Sequence, residues 1–125
     1  YLKKAGSISI NRNKISKDNL GFFGDVLRLI NKSNRPLIIF PQGTRLLPEE
    51  RTPFKKGASR IYKELKISCQ PIAINSGFTW PKHGPKKINT TLIISILQAI
   101  EPGQNKEFFL KNLQDVIYTE LDLLN

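Results

Sequence analysis

Short apolar segments alternate along this chain with segments of helical period, and this order restricts it to a layered α/β architecture. Strands are predicted at residues 7–11, 37–40, 70–75 and 90–100, and helices at residues 16–32, at 54–66 and after residue 105. In the second helix, Phe54, Ala58 and Ile61 recur three or four positions apart, which puts them on one face. Residues 37–40 are apolar throughout, as in a strand that is covered on both faces. We therefore expect an α/β domain in which helices flank a mixed sheet.

Turn-forming residues separate these elements and indicate where a ligand would bind. Residues 41–53 and 76–87 are rich in proline and glycine. Pro102 and Gly103 predict a turn, and Asn105 is suited to cap the last helix. In α/β sheets of this kind, ligands bind in loops beyond the carboxyl ends of the strands. The loops that meet this description are residues 11–12, 41–45 and 75–77.

The charge of the chain favours an anionic partner without identifying it. Lysine and arginine number 20 against 10 acidic residues, which gives a net charge of +10. Nucleic acid, anionic lipid and phosphorylated small molecules would all be attracted to such a chain. The basic residues occur in short pairs with no long basic tract, so an ordinary solvated surface explains them equally well.

Cysteine content and hydropathy exclude other classes of protein. A single cysteine, Cys69, rules out a disulfide scaffold and a cysteine-based zinc site. The aliphatic runs, such as residues 92–94, are far shorter than the ~20 residues that a membrane span needs. The chain has no methionine and begins at Tyr1. We therefore expect it to be a piece of a longer protein.

Residues 40–45, with the sequence FPQGTR, form the most informative stretch. A predicted strand stops at a proline, Gly43 allows a sharp turn, and Arg45 offers a planar fork of donors that suits a phosphate or a carboxylate. An ordinary strand exit with a solvent-facing arginine explains the same residues. Arg12 lies just beyond another strand and either converges on the same anion or is a surface residue. Residues 75–77 either build the same pocket or only end their strand.

Four segments, taken in order, resemble the glycerolipid acyltransferases, the 1-acyl-sn-glycerol-3-phosphate acyltransferase group. Residues 40–45 resemble the FPEGTR block of that family, and residues 6–12 (GSISINR) resemble its second block. Residues 70–77 (QPIAINSG) are similar to its fourth block, and residues 54–58 fit the segment expected after the third. The resemblance covers essentially the whole chain. It implies a fold like that of glycerol-3-phosphate acyltransferase, incomplete at the N-terminus, with residues 1–125 as the C-terminal portion of a single acyltransferase domain.

The resemblance implies an activity and a set of binding residues. The family transfers an acyl group from acyl-CoA or acyl carrier protein to the free hydroxyl of lysophosphatidic acid, which gives phosphatidic acid; no other cofactor is implied. Arg45 would bind the acceptor phosphate and Arg12 would assist it. Gly43 and Thr44 would shape the pocket, and Asn75 would line or support the acyl-donor side. Loss of Arg45 would cost on the order of 2–5 kcal/mol of binding free energy, much of it from leaving a buried charge unpaired.

The sequence departs from the family pattern at two points. Gln42 stands where the family usually has glutamate, and its amide can still accept a hydrogen bond from a glycerol hydroxyl. The catalytic block of the family is His-x-x-x-x-Asp, whereas the sole histidine here, His83, is followed five positions later by Ile88. We therefore expect no catalytic residue within this chain, and we expect the histidine and aspartate upstream of Tyr1.

A lysophospholipid substrate implies work at a bilayer surface. Residues 80–87 combine Trp80 with several cations, which suits an anionic membrane, although a plain solvated loop has the same composition. The expected location is the cytoplasmic face of the bacterial inner membrane. Alternative functions are an acyltransferase for another lysophospholipid or glycerol 3-phosphate, and a non-catalytic basic module for lipid headgroups or nucleic acid. No aromatic and basic signature of RNA-binding modules occurs, so we expect no nucleic-acid partner.

Overall fold

The computed structural model describes residues 20–124 of the protein. The chain divides into two compact units, Tyr1–Ile38 and Ile39–Asn125. The strand predicted at residues 7–11 and Arg12 lie outside the described residues, as does the beginning of the helix predicted at residues 16–32.

The described part of the first unit contains one helix, α1, Leu20–Ser33. Val26 is fully buried on this helix. The helix ends at Asn34, which adopts a left-handed conformation with φ of +50° and donates its N–H to the Ile30 carbonyl oxygen at 3.0 Å. Asparagine tolerates this conformation better than most residues, so it makes an effective helix stop. The prediction of a helix here is confirmed over its described part.

The predicted strand at residues 37–40 is wrong. These residues have no regular secondary structure, and Ile38 and Phe40 are 75% and 77% exposed. A strand requires a neighbouring strand to satisfy its backbone groups. Within the described part of the chain, no strand pairs with this segment.

The second unit contains three helices and two strands among its described residues. In chain order they are α2 (Lys56–Leu65), β1 (Ile72–Ile74), α3 (Ser76–Thr79), β2 (Ile94–Ile96) and α4 (Lys106–Leu124). The strands predicted at residues 70–75 and 90–100 are confirmed in position but are shorter. The short helix α3 lies in a segment that was predicted to be a loop.

The two strands pair in antiparallel fashion. Ala73 lies opposite Ser95 in the ladder. A further bridge joins Cys69 and Ile100, whose backbone groups exchange hydrogen bonds of 2.9 and 2.8 Å. The described sheet is therefore a small antiparallel pair, whereas a mixed sheet was expected.

The core of the second unit lies where this strand pair packs on α4 and α4 packs on α2. Tyr62 of α2 stacks on Phe109 of α4, with ring centroids 3.7 Å apart and planes 1° from parallel. The other buried members are Phe54, Ala73, Ile100, Leu113, Ile117 and Tyr118. The Oδ1 of Asn105 accepts hydrogen bonds from the N–H groups of Glu107 and Phe108, at 2.9 and 3.2 Å. This confirms the predicted cap of the last helix.

Among residues 20–124, the strand pair is covered on one face, whereas cover on both faces was expected. Ala73 is fully buried on the packed face. The opposite face carries four exposed isoleucines, Ile72, Ile74, Ile94 and Ile96.

No helix among the described residues is both long and apolar enough to cross a membrane.

Candidate functional site

A cleft of about 580 Å³ in the second unit brings two of the predicted site segments together. Its walls include residues 42–48 and 74–78, with Arg51, Trp80 and Lys82 beside them. The predicted site residues on these walls are Gln42, Gly43, Thr44, Arg45 and Asn75. Residues 75–77 were interpreted either as part of the same pocket or only as the end of a strand, and the geometry agrees with the first alternative, since they line one cleft with residues 42–45. That these residues bind a substrate stays a prediction, and Arg12 lies outside the described residues.

A tight turn at Gly43 begins the first wall. The Gly43 N–H bonds to the Phe40 carbonyl oxygen at 3.0 Å, and the Lys55 N–H bonds to the Pro41 carbonyl oxygen at 2.8 Å. Gly43 has φ of +74°, and a Cβ atom there would lie 3.2 Å from Cγ of Lys55. Both the conformation and the space therefore favour glycine at this position.

The two walls approach each other at Pro48 and Gly77. A second turn presents Pro48: the Leu47 N–H bonds to a Glu50 carboxylate oxygen at 2.7 Å, and the Glu50 N–H bonds to the Leu47 carbonyl oxygen at 3.0 Å. A Cβ atom on Gly77 would lie 3.2 Å from Cγ of Pro48. A larger residue at position 77 would push the walls apart.

Arg51 ties the first wall to α4, a role that the sequence analysis missed. Its guanidinium donates to the Pro48 carbonyl oxygen at 2.5 Å and to the Asp122 carboxylate at 2.7 Å. It also lies over the Tyr118 ring, 5.2 Å from the centroid. An arginine in a turn-rich stretch carries no local signal for a partner 71 positions away. The structure thus assigns Arg51 to holding the cleft together.

Asn75 supports the second wall through its side chain. It is buried, its Oδ1 accepts from the Ile93 N–H at 2.7 Å, and its Nδ2 donates to the Thr91 carbonyl oxygen at 3.3 Å. Its backbone carbonyl accepts from the Phe78 N–H at 3.1 Å, at the first turn of α3. Of the two roles implied for Asn75, lining and supporting, these bonds favour support.

Arg45 lies at the cleft as an exposed residue. Its Cζ is 5.7 Å from the centroid of the Trp80 ring. Lys82 lines the same cleft, and the carboxylate of Glu50 is already bonded within its own turn. The cations give the cleft a positive character that favours an anionic ligand.

The remaining titratable candidates lie away from this cleft. His83 is exposed and is not one of the lining residues. Burial raises the pKa of the Cys69 thiol, which lies at the bridge to Ile100. Among residues 20–124, no group of three or more His, Cys, Asp or Glu side chains could hold a metal ion.

Comparison with known proteins identifies a family that this chain resembles. The sequence model described as Acyltransferase matches residues 1–75. The acl-1 protein of Caenorhabditis elegans is 33% identical over 98 residues, which are 77% of this chain and 37% of the relative. The 1-acyl-sn-glycerol-3-phosphate acyltransferase of Saccharomyces cerevisiae is 31% identical over 104 residues, 80% of this chain and 34% of the relative.

A bacterial relative matches a shorter part of the chain. The 1-acyl-sn-glycerol-3-phosphate acyltransferase of Helicobacter pylori is 49% identical over 45 residues, 34% of this chain and 19% of the relative. The chain therefore spans well under half the length of each of these relatives. No solved structure matches the chain significantly.

Proposed function

Because the chain belongs to the Acyltransferase family, we propose that its cleft holds the phosphate of lysophosphatidic acid during acyl transfer to the free hydroxyl. The product is phosphatidic acid, and the acyl donor is acyl-CoA or acyl carrier protein. Support comes from the names of the relatives in yeast and Helicobacter pylori, which specify this acceptor. The acceptor and the donor are proposals for this chain, since it spans only part of those relatives.

The single observation that carries the proposal is the meeting of residues 42–48 and 74–78 around one cleft. Arg45 provides a guanidinium at its edge and Lys82 adds an ammonium group. Thr44 and Ser76 place hydroxyl groups on the same walls. Charge-assisted hydrogen bonds from such donors are the stronger polar contacts available to a phosphate.

The proposed role of this chain in the reaction is to position the acceptor. In the acyl transfer, the acceptor hydroxyl oxygen forms a bond to the thioester carbonyl carbon, its proton leaves, and the thiolate departs. A phosphate held at Arg45 fixes the acceptor, which lowers the entropic part of the barrier. The 125 residues contain no His-x-x-x-x-Asp sequence. We propose that the general base and its orienting carboxylate are residues outside these 125.

The proposed architecture is that of the glycerol-3-phosphate acyltransferases, with a mixed sheet that includes residues 7–11. It is supported by the α/β composition of residues 20–124 and by the family match, which extends over residues 1–75. A crystal structure of the full-length protein tests it. A strand at residues 7–11 in a mixed sheet is expected, and a sheet limited to β1 and β2 would contradict it.

The proposal includes work at an anionic membrane surface, on the cytoplasmic face of the bacterial inner membrane. The net charge of +10 and the exposed Lys82, Lys86 and Lys87 beside Trp80 support it. Cosedimentation of the full-length protein with phosphatidylcholine vesicles tests it. Binding should require added phosphatidylglycerol and should weaken with salt, because surface charges are screened. Equal binding to neutral vesicles would contradict it. Accessibility of the protein to protease in inverted inner-membrane vesicles tests whether it lies on the cytoplasmic face of the membrane.

An acceptor comparison tests the activity most simply. The full-length protein is incubated with a donor, acyl-CoA or acylated acyl carrier protein, and with one of three acceptors in separate reactions: lysophosphatidic acid, glycerol 3-phosphate or lysophosphatidylcholine. The proposal expects the highest kcat/KM with lysophosphatidic acid. Preference for glycerol 3-phosphate would reassign the acceptor, and equal use of lysophosphatidylcholine would contradict recognition of a phosphomonoester. Absence of transfer from both acyl-CoA and acyl carrier protein would leave a basic binding module.

A further inference from the structure

The ring of Trp80 contacts two cations from different parts of the chain. The Cζ atom of Arg45 is 5.7 Å from the ring centroid, and the Nζ atom of Lys86 is 3.9 Å from it. Both distances lie within the range of about 6 Å over which an aromatic face attracts a cation. Trp80 and Arg45 also line the same cleft. The ring therefore lies at the point where the loop after α3 meets the proposed phosphate site.

The backbone around Trp80 explains how Lys86 reaches the ring. The Trp80 N–H bonds to the Ser76 carbonyl oxygen at 2.7 Å, which continues the short helix α3 to the ring-bearing residue. The Lys87 N–H bonds to the Thr79 carbonyl oxygen at 2.9 Å. This second bond folds residues 80–87 back on themselves. Lys86 is thus returned next to the residue at which the loop begins.

An exposed arginine without such a contact would have to be ordered by its ligand. A free arginine side chain loses about 2 kcal/mol of rotamer entropy when it is fixed. The Trp80 ring restricts Arg45 before any ligand binds, so a smaller part of that cost falls on binding. A planar guanidinium can stay on an aromatic face while its N–H groups point outward to an anion. The contact with Trp80 therefore leaves Arg45 able to bind phosphate.

We infer that Trp80 is a positioning residue of the acceptor site, holding Arg45 at the cleft with Lys86 as a second cation on the same ring. This inference rests on the proposed function of the cleft. Arg45 is the cation on this ring that also lines the cleft. A phosphomonoester, whether of a lysophospholipid or of a free glycerol phosphate, carries more negative charge than a phosphodiester and is therefore attracted more strongly to this guanidinium.

A double-mutant cycle in the full-length protein tests the inference. Trp80→Leu keeps apolar bulk but removes the aromatic face, and it should raise KM for lysophosphatidic acid about two- to fivefold, as expected for an exposed cation–π contact. The value of kcat should stay unchanged, and Trp80→Phe should restore most of the affinity. In an Arg45→Ala background, Trp80→Leu should raise KM by a smaller factor than in the wild type, because only the contact with Lys86 is then left to lose. Independent, multiplying effects of the two substitutions would overturn the inference.

The outcomes separate this inference from the proposed function. A raised KM in Arg45→Ala with an unchanged KM in Trp80→Leu would overturn the role of Trp80 and leave the phosphate site intact. An unchanged KM in both variants would overturn the phosphate site itself. Lys86→Ala should raise KM, whereas Lys63→Ala, on the exposed surface of α2, should not. Trp80 is 53% exposed, so these variants should keep the circular dichroism of the wild type.

Fluorescence gives a readout that does not depend on catalysis. Trp80 is the one tryptophan among these 125 residues, and its fluorescence should change when an anion binds to a cation above the ring. Glycerol 3-phosphate and lysophosphatidic acid are titrated separately into the wild type and into Trp80→Phe. The difference between the two proteins should saturate with each ligand, and in an Arg45→Ala background it should be smaller and should need about tenfold more ligand. A difference that is unchanged by loss of Arg45, or no difference at all, would contradict the inference.

Discussion

The buried side chain of Asn75 accepts a hydrogen bond of 2.7 Å from the backbone N–H of Ile93, which fastens the second wall of the cleft to the segment that precedes β2. The Asn75 N–H in turn donates to the Ile93 carbonyl oxygen at 3.3 Å. Together these bonds continue the ladder of β1 and β2 beyond the strands, using an amide side chain as one of the partners. The start of α3 is thereby fixed relative to the sheet.

The main effect of Asn75→Ala should therefore be a loss of stability. Removing the amide leaves the N–H of Ile93 without its acceptor in this partly buried hydrogen bond, which should lower the free energy of unfolding by about 1 kcal/mol. Urea denaturation of the purified variant measures this loss. Gln98→Ala removes an exposed amide from the same unit and should change stability by less than about 0.5 kcal/mol. Equal, small effects of both substitutions would show that the Ile93 bond contributes little.

Two glycines give opposite predictions for the same substitution. Gly43→Ala should destabilise the protein by about 1–2 kcal/mol, because alanine is strained at positive φ and its Cβ would crowd Lys55. Gly57→Ala, in α2 with open space around the added Cβ, should be neutral or stabilising by up to about 1 kcal/mol. Thermal unfolding of both variants checks the difference in sign. A Gly43→Ala protein at least as stable as the wild type would contradict the turn geometry.

Local signals in the sequence predicted α1, α2 and α4 but not the short helix α3. Asn105 was expected to cap the last helix, and its side chain does so. The apolar run at residues 37–40 led to a wrong prediction of a strand. Apolar side chains favour burial, but a strand also needs a hydrogen-bonding partner for its backbone. Ile38 and Phe40 are exposed, and no described residue supplies that partner.

From the sequence, the candidate site could be predicted only for residues that belong to a short motif. The turn at Gly43 with Arg45 behind it is local, and the structure places both residues on the cleft. The contacts that shape the cleft are distant in sequence, as with Asn75 and Ile93 or Arg51 and Asp122. Such pairs arise from the tertiary fold, so no periodicity or spacing reveals them. The place of Trp80 beside Arg45 was hidden for the same reason.

Gln42 should accept replacement by the glutamate usual in the family. The side chain is half-buried on the cleft wall, and a carboxylate there would attract the nearby cations while repelling the acceptor phosphate. A single repulsion of this kind amounts to about 1 kcal/mol in a solvated site, or about a fivefold change in KM. Steady-state kinetics of Gln42→Glu with lysophosphatidic acid measures the change. Complete loss of activity would mean that this pocket differs from that of the family.

The Cys69 thiol should make stability fall at high pH. Burial raises its pKa above the ordinary value of 9.0, so the unfolded chain releases this proton at lower pH than the folded one. The contribution is complete below that ordinary value and declines as pH rises above it. Urea midpoints measured from pH 7 to pH 10.5 should fall more steeply in the wild type than in Cys69→Ala. Parallel profiles would contradict the raised pKa.

The central claim is that the cleft holds the acceptor phosphate through Arg45, and the KM of Arg45→Ala for lysophosphatidic acid tests it most directly. Loss of one charge-assisted contact from this exposed arginine should raise KM about tenfold or more in the full-length protein. The folded fraction should not change, and Lys63→Ala should keep the KM of the wild type. Arg45→Lys should recover only part of the affinity, because an ammonium group lacks the bidentate fork. A KM for Arg45→Ala equal to that of the wild type would show that the phosphate is bound elsewhere.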